Sequence, residues 1–261
     1  MTGALSLERR GAVLLMGLDR AAKRNAFDLA LYSALSSALG TLERDPVLRC
    51  GVLFAHGDHF TGGIDLPQWT PYFREGRSAP LPDDGLDPLC LDPARTRNKP
   101  LVMAVQGYCY TLGIELLLAA DVRIAAESTR FAQIEVKRGI YPIGGATVRF
   151  AQEVGWGNAM RWLLTGDTFD AAEALRIGLV QQVTATGGQL DAAVAIARTI
   201  AEQAPLAVKA TLEAVRLTRK AAENEAIARL LPDMLPLLET EDAREGLAAF
   251  VERRPGRFTG R

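Results

Sequence analysis

Val105-Gln106-Gly107-Tyr108-Cys109-Tyr110-Thr111-Leu112-Gly113-Ile114-Glu115 is the stretch on which the reading of this chain turns. It closes a short apolar run, residues 101–105, of the kind that makes a buried strand, and passes through a glycine-bearing loop into an apolar helix expected over 112–120. Glu115 falls in the first turn of that helix, where free N–H groups and the positive end of the helix dipole favour negative charge. Outward from this stretch the alternation repeats. Strand-like runs are expected at 12–18, 52–56, 122–125 and 180–183, with helical patterns between them. Asp28 caps a helix whose apolar stripe is Leu31, Leu35, Ala38, Leu39 and Leu42 and which stops near Asp45-Pro46; others follow at 146–154, 158–165 and 170–177. Strands alternating with helices make an α/β chain.

Residues 78–93 break the pattern with prolines, aspartates and Gly85, which is the chemistry of a loop, either a lid or a partly disordered stretch. After about residue 189 the strands cease, and helices are expected at 190–203, 206–220, 223–231 and 240–254. The chain thus divides into an α/β core, 1–188, and a helical C-terminal region, 189–261, that covers the core, a neighbouring subunit or both.

Composition narrows the functions. With 48% apolar and 23% charged residues over 261 positions, the chain buries a sizeable core and is not a disordered one. Thirty Lys and Arg against thirty-one Asp and Glu leave a net charge of -1, so no bulk field holds nucleic acid or an anionic membrane. Three cysteines, Cys50, Cys90 and Cys109, are odd in number and widely spaced, which fits a reduced cytoplasm better than a disulfide framework. Arg9 and Arg10 before the apolar run 12–18 imitate a signal peptide, but Asp19, Arg20, Lys23 and Arg24 follow with no small-residue cleavage site, so a hairpin turning at Arg10-Gly11 is expected. No window approaches the roughly 18 apolar residues of a membrane span.

The chain has no Gly-x-Ser-x-Gly elbow, no phosphate loop ending in Gly-Lys-Ser/Thr and no Gly-x-Gly-x-x-Gly after a strand. The only two histidines, His56 and His59, have the spacing of a metal clip, yet a surface turn explains them better. Acid and base chemistry then falls most easily to carboxylates.

Two further segments join the first: Leu18-Asp19-Arg20-Ala21-Ala22-Lys23-Arg24-Asn25-Ala26-Phe27 and Phe60-Thr61-Gly62-Gly63-Ile64-Asp65-Leu66. With 119–125, 131–145 and 171–180 in the same order, the chain resembles the crotonase superfamily of enoyl-CoA hydratases and isomerases over nearly its whole length. The resemblance implies a spiral of ββα units with a helical C-terminal region, a homotrimer or homohexamer, and an acyl-CoA thioester as substrate. Coenzyme A enters as part of the substrate, and no metal, flavin or nicotinamide is implied.

What unites that family is a thioester enolate held by two backbone N–H groups, which the resemblance places on Ile64 and Leu112. Preorganised donors of this kind supply roughly 3 kcal/mol each of transition-state stabilisation. Glu115 and Glu135 stand where the hydratases keep their two catalytic glutamates. Isomerases tend to keep one. In the hydratase mechanism the pair holds a water, Glu115 helping deliver it to the β-carbon and Glu135 protonating the α-carbon. Read alone, Glu115 is also a helix-dipole residue and Glu135 an ion-pair partner for Lys137 or Arg138. Lys23, Arg24, Ala26, Gly62 and Asp65 match the segments that meet coenzyme A, Lys23 most closely among the cations. Arg253, Arg254 and Phe258 lie in the tail that relatives bring to a nucleotide, often from a neighbouring subunit. Two departures stand out: Thr111-Leu112-Gly113 replaces a run of glycines, and Ile143 sits where hydratases often carry glycine and dienoyl isomerases an acid. The same scaffold also hosts isomerases, hydrolases and decarboxylases, and a catalytically silent acyl-CoA binder is the rival from another class.

Overall fold

Period-two alternation sorts the strand residues onto two faces, and both faces are buried. The computed structural model describes residues 5–259. In β2 (Val13–Leu18), Leu14, Met16 and Leu18 enter one apolar cluster while Val13 and Leu15 enter another. The sheet continues with β3 (Cys50–Ala55) and β4 (Leu101–Val105), whose Met103 and Val105 face one way and Val102 and Ala104 the other. β1 (Leu5–Arg10) runs antiparallel to β2 across a turn at Gly11, which has φ 64°, so the expected hairpin is present. With β6 (Val122–Ala126) and β9 (Gln182–Thr184) the order is β1-β2-β3-β4-β6-β9, parallel after the first pair. A second sheet, β5-β7-β8, joins Tyr108–Tyr110, Arg130–Ala132 and Phe169–Asp170. This is the expected ββα spiral.

Helix α1 (Leu29–Arg44) begins at Asp28, whose side chain accepts from Leu31 N at 2.8 Å, and its five predicted stripe residues are all buried. α3 (Leu112–Ala119), α4 (Ala146–Val154), α5 (Trp156–Thr165) and α6 (Ala171–Arg176) follow the expected spans closely. α2 (Leu66–Arg74) is a helix that the sequence reading did not name, because Pro67 and Pro71 argue against one. Pro67 sits in the first turn, where a missing N–H is harmless, and Trp69 and Phe73 anchor the helix in the core.

The helical region begins inside the core packing: α7 (Gln189–Ala201) lays Ala193, Val194, Ala197 and Ala201 on the second face of the sheet. The helices expected at 206–220 and 223–231 are one helix, α8 (Pro205–Leu238); no Gly or Pro interrupts the sequence between them. α9 (Glu241–Val251) starts at Thr240, whose hydroxyl caps Ala243 N at 3.0 Å. Residues 78–92 carry no helix or strand, but they are tied down by buried Asp87. Its carboxylate accepts from Tyr32 Oη at 3.1 Å and from the N–H groups of Leu89, Leu91 and Asp92 at 2.6–3.0 Å. Among the described residues no helix is long and apolar enough to cross a membrane.

Candidate active site

The segments leaving the carboxyl ends of β2, β3 and β4 converge on a cavity of about 890 Å³, the usual place for a ligand site in such a sheet. Thr61 N donates to Tyr108 O at 2.8 Å and Tyr110 N to Thr61 O at 3.2 Å, which zips the second of these segments to the third. Ile64 forms an isolated parallel bridge with Phe27, in which Phe27 N donates to Gly63 O and Asp65 N to Phe27 O, both at 2.8 Å. That pattern turns the N–H of Ile64 away from Phe27. Leu112 is the first residue of α3, so its N–H has no acceptor in the helix. Neither N–H finds an acceptor among the described residues, and both residues line the cavity.

The turn that aims Leu112 is strained. Thr111 has φ 49° and ψ -111°, a conformation that suits glycine and not a β-branched side chain. Its N–H is fixed to Ala132 O at 2.9 Å, and its hydroxyl occupies the space that a Cβ on Gly63 would need.

Glu115 and Glu135 line the same cavity. Glu115 is buried, and its Oε1 accepts from Gly144 N at 2.6 Å and Ala146 N at 3.4 Å. Burial pushes its pKa up to about 7, against the opposing pull of these two N–H groups and of Arg149. Glu135 begins a 3-10 turn (Glu135–Arg138) closed by Gly139 at φ 72°. Its Oε2 is buried without a hydrogen-bond partner. Burial, and then the charge of Glu115, hold its pKa well above the carboxylate range. The ion-pair alternative for Glu135 is not what forms, since Lys137 pairs with Asp167 at 2.9 Å and the Arg138 guanidinium lies over the ring of Phe250.

Lys23, Arg24, Ala26 and Gly62 also line the cavity. The sequence reading passed over Asn25, which shapes this wall: it is fully buried at φ 51°, and its Nδ2 donates to His56 O and His59 O at 2.9 and 2.8 Å. A polar residue inside a turn motif was the available signal. Asp65 is not at the cavity wall; its carboxylate takes Arg20 at 3.1 Å. Arg253 and Phe258 are exposed and do not reach the cavity within one chain, and Arg254 pairs with Glu245 and Glu252. His56 and His59 take separate partners, Ser6 Oγ at 2.7 Å and Tyr108 N at 3.1 Å, so they form no clip.

The far wall is apolar, built from Trp69, Phe73, Leu89, Leu91, Ile143 and Met234. Trp69, Phe73 and Leu89 come from α2 and the 78–92 loop, and so were invisible as pocket residues in a sequence that gave no helix there. Ile143 stands in this wall as its position implied, next to Gly144 beneath Glu115.

A cavity with two unengaged N–H groups and two carboxyls of raised pKa is equipped for acid–base chemistry on a carbonyl compound. Comparison with known proteins agrees in kind. The family profile described as Enoyl-CoA hydratase/isomerase matches residues 8–261. A solved structure of a probable enoyl-CoA hydratase/isomerase from Mycobacterium abscessus is 50% identical, with 99% of each chain covered and a TM-score of 0.81. A carnitinyl-CoA hydratase from Mycobacterium avium superposes over 100% of each chain with a TM-score of 0.88 at 33% identity. Enoyl-CoA hydratase EchA19 of Mycobacterium tuberculosis is 35% identical over 98% of this chain and 96% of its own length. This chain belongs to the enoyl-CoA hydratase/isomerase family of the crotonase superfamily.

Proposed function

We propose that the protein adds water to a trans-2-enoyl-CoA to give a 3-hydroxyacyl-CoA. The observation that carries this reading is the pair of buried carboxyls, Glu115 and Glu135, with different hydrogen-bonding on the wall of one cavity. The N–H groups of Ile64 and Leu112 bind the thioester oxygen, most tightly when it carries the enolate charge. Glu115, oriented by Gly144 N and with a pKa near neutrality, accepts a proton from water as its oxygen attacks the β-carbon. Glu135, held protonated by burial and by the charge of Glu115, gives its proton to the α-carbon. Glu135 acts from the protonated form that its surroundings favour, and Glu115, with a pKa of about 7, is ionised in a substantial fraction of molecules near neutral pH.

Lys23 and Arg24 meet phosphates of coenzyme A. Arg253 and Phe258 serve a site on a neighbouring subunit of a homotrimer or homohexamer, a reading supported by apolar side chains left exposed on the helical region, among them Leu206, Leu217 and Val251. Light scattering decides the assembly: a monomer ends that part. The reaction is tested by loss of enoyl-thioester absorbance with crotonyl-CoA and a longer homologue, in wild type, Glu115→Gln and Glu135→Gln. Turnover that collapses in both variants is expected; no wild-type turnover with ligand still bound rejects the hydratase.

A further inference from the structure

Arg138 is a charge in the cavity wall that the proposed reaction does not use. It follows Glu135 by one short turn and lines the cavity. Among the described residues it pairs with no carboxylate and donates no hydrogen bond. Its guanidinium lies 3.6 Å from the centre of the Phe250 ring, a cation–π contact supplied by α9. Burial pulls its pKa down, but a guanidinium remains charged at any working pH. Its nitrogens are not sealed in protein either: Arg97 Nε and Arg123 Nη1 are buried without partners, and no nitrogen of Arg138 is. The donors therefore open on free space.

Glu135 Oε2 is itself buried and unpartnered, three positions from Arg138 in the same turn. No hydrogen bond joins the two, and the pull of the Arg138 charge on the Glu135 carboxyl is outweighed by burial and by the charge of Glu115. Lys23 and Arg24 come from the segment after β2, where the phosphates are expected, and Arg95, on the 3-10 turn Pro93–Arg95, donates to Pro82 O at 2.8 Å. A half-buried guanidinium with its planar fork of donors unused fits a carboxylate better than any other acyl substituent.

We propose that Arg138, laid over Phe250, binds a carboxylate carried on the acyl part of the substrate and so selects carboxylated enoyl-CoA thioesters. This deepens the hydratase reading and rests on it for its kinetic test. That test compares kcat/KM for trans-2-enoyl-CoA chains of equal length, with and without a terminal carboxylate, at two lengths, in wild type, Arg138→Gln, Arg138→Lys and Phe250→Leu. Wild type prefers the carboxylated chains; Arg138→Gln cuts that preference by roughly 10- to 100-fold, the range for a hydrogen bond to a charged group. Arg138→Lys restores part of the preference, and Phe250→Leu loses a smaller part. A wild-type preference for the plain chains, or equal losses on both kinds, overturns the proposal. So does a loss that vanishes when pantetheine thioesters replace those of coenzyme A, which would assign Arg138 to a nucleotide phosphate. If no chain turns over, the hydratase reading fails and calorimetry with saturated acyl-CoA and its carboxylated counterpart decides: tighter binding of the carboxylated ligand, lost in Arg138→Gln, sustains the proposal, and equal binding ends it.

Discussion

The two glutamates of the cavity are held in opposite ways. Glu115 rises from a helix of the core, takes two backbone N–H groups, and has Gly144 so close beneath it that a Cβ there would overlap Oε2. Glu135 stands on a short turn, keeps one oxygen without a partner, and is braced from behind by α9, where Gly246 packs directly on the backbone of Arg138. Both carboxyls are raised by burial, but Glu115 takes two N–H donors from another segment that favour the ionised form, whereas Glu135 has only its own N–H and the charge of Arg138 against burial and the charge of Glu115. The difference separates a base from an acid using residues of one kind. It also splits the site between the sheet-borne core and the C-terminal helices.

Removing either carboxyl is the largest way to break that comparison. Glu115→Gln and Glu135→Gln should each lower kcat by about 10²- to 10⁴-fold, the usual contribution of a positioned acid or base. Because one water and one proton transfer need both, the double variant should be little worse than the poorer single one. Losses that multiply would mean that the two act independently.

The same substitution sharpens the comparison through stability. The folded pKa of Glu115, about 7, lies above its ordinary 4.5, so the folded state binds the proton more tightly than the unfolded one. Its contribution is therefore fully present below about pH 4.5 and is lost as the pH rises through about 7. Gln keeps an acceptor for Gly144 N and carries no charge. Glu115→Gln should gain up to ~3 kcal/mol of unfolding free energy above pH 7, vanishing near pH 4. Urea denaturation at several pH values measures this; a gain independent of pH would separate it from the ionisation of Glu115.

A smaller effect probes each wall from behind. Gly144→Ala pushes directly on the Glu115 carboxyl, whereas Gly246→Ala pushes on the backbone of the turn that carries Glu135. Displacements of this size should cost about 10- to 100-fold in kcat. Only Gly144→Ala should also move the limb of the pH–rate profile near 7, since it alone disturbs the donors to Glu115. A shift of that limb in Gly246→Ala would show that the two walls are mechanically joined.

These walls were unequally legible in the sequence. The α3 wall is partly local: an apolar strand, a glycine-bearing loop and an apolar helix put Glu115 in a first helical turn, while the N–H groups of Ile64 and Leu112 were implied by the family resemblance. The residues of the other wall depend on long-range packing. Nothing near Arg138 in sequence announces that Phe250 will lie beneath it, and local charge instead favours the pairing with Glu135 that does not form. The turn at Asn25 is visible as a local motif, but its bonds to His56 and His59 belong to tertiary structure. Helix α2 was hidden by Pro71, whose local penalty is outweighed by the burial of Trp69 and Phe73.

The smallest effect tests how the better-read wall is tensioned. Thr111 holds φ 49° where glycine is the natural occupant, at a cost of about 1–3 kcal/mol. Thr111→Gly removes that strain and gives back about 0.5–1 kcal/mol through the greater freedom of the unfolded chain. The net expectation is a gain of about 1 kcal/mol, read as a higher urea midpoint, with a fall in kcat of a few-fold because the N–H of Leu112 is no longer forced into one direction. Thr111→Ala is the control, since it deletes the hydroxyl beside Gly63 and keeps the backbone penalty. If alanine stabilises as much as glycine, the tension lies in the crowded hydroxyl and not in φ, and the aim of the Leu112 N–H is set by the bond from Thr111 N to Ala132 O instead.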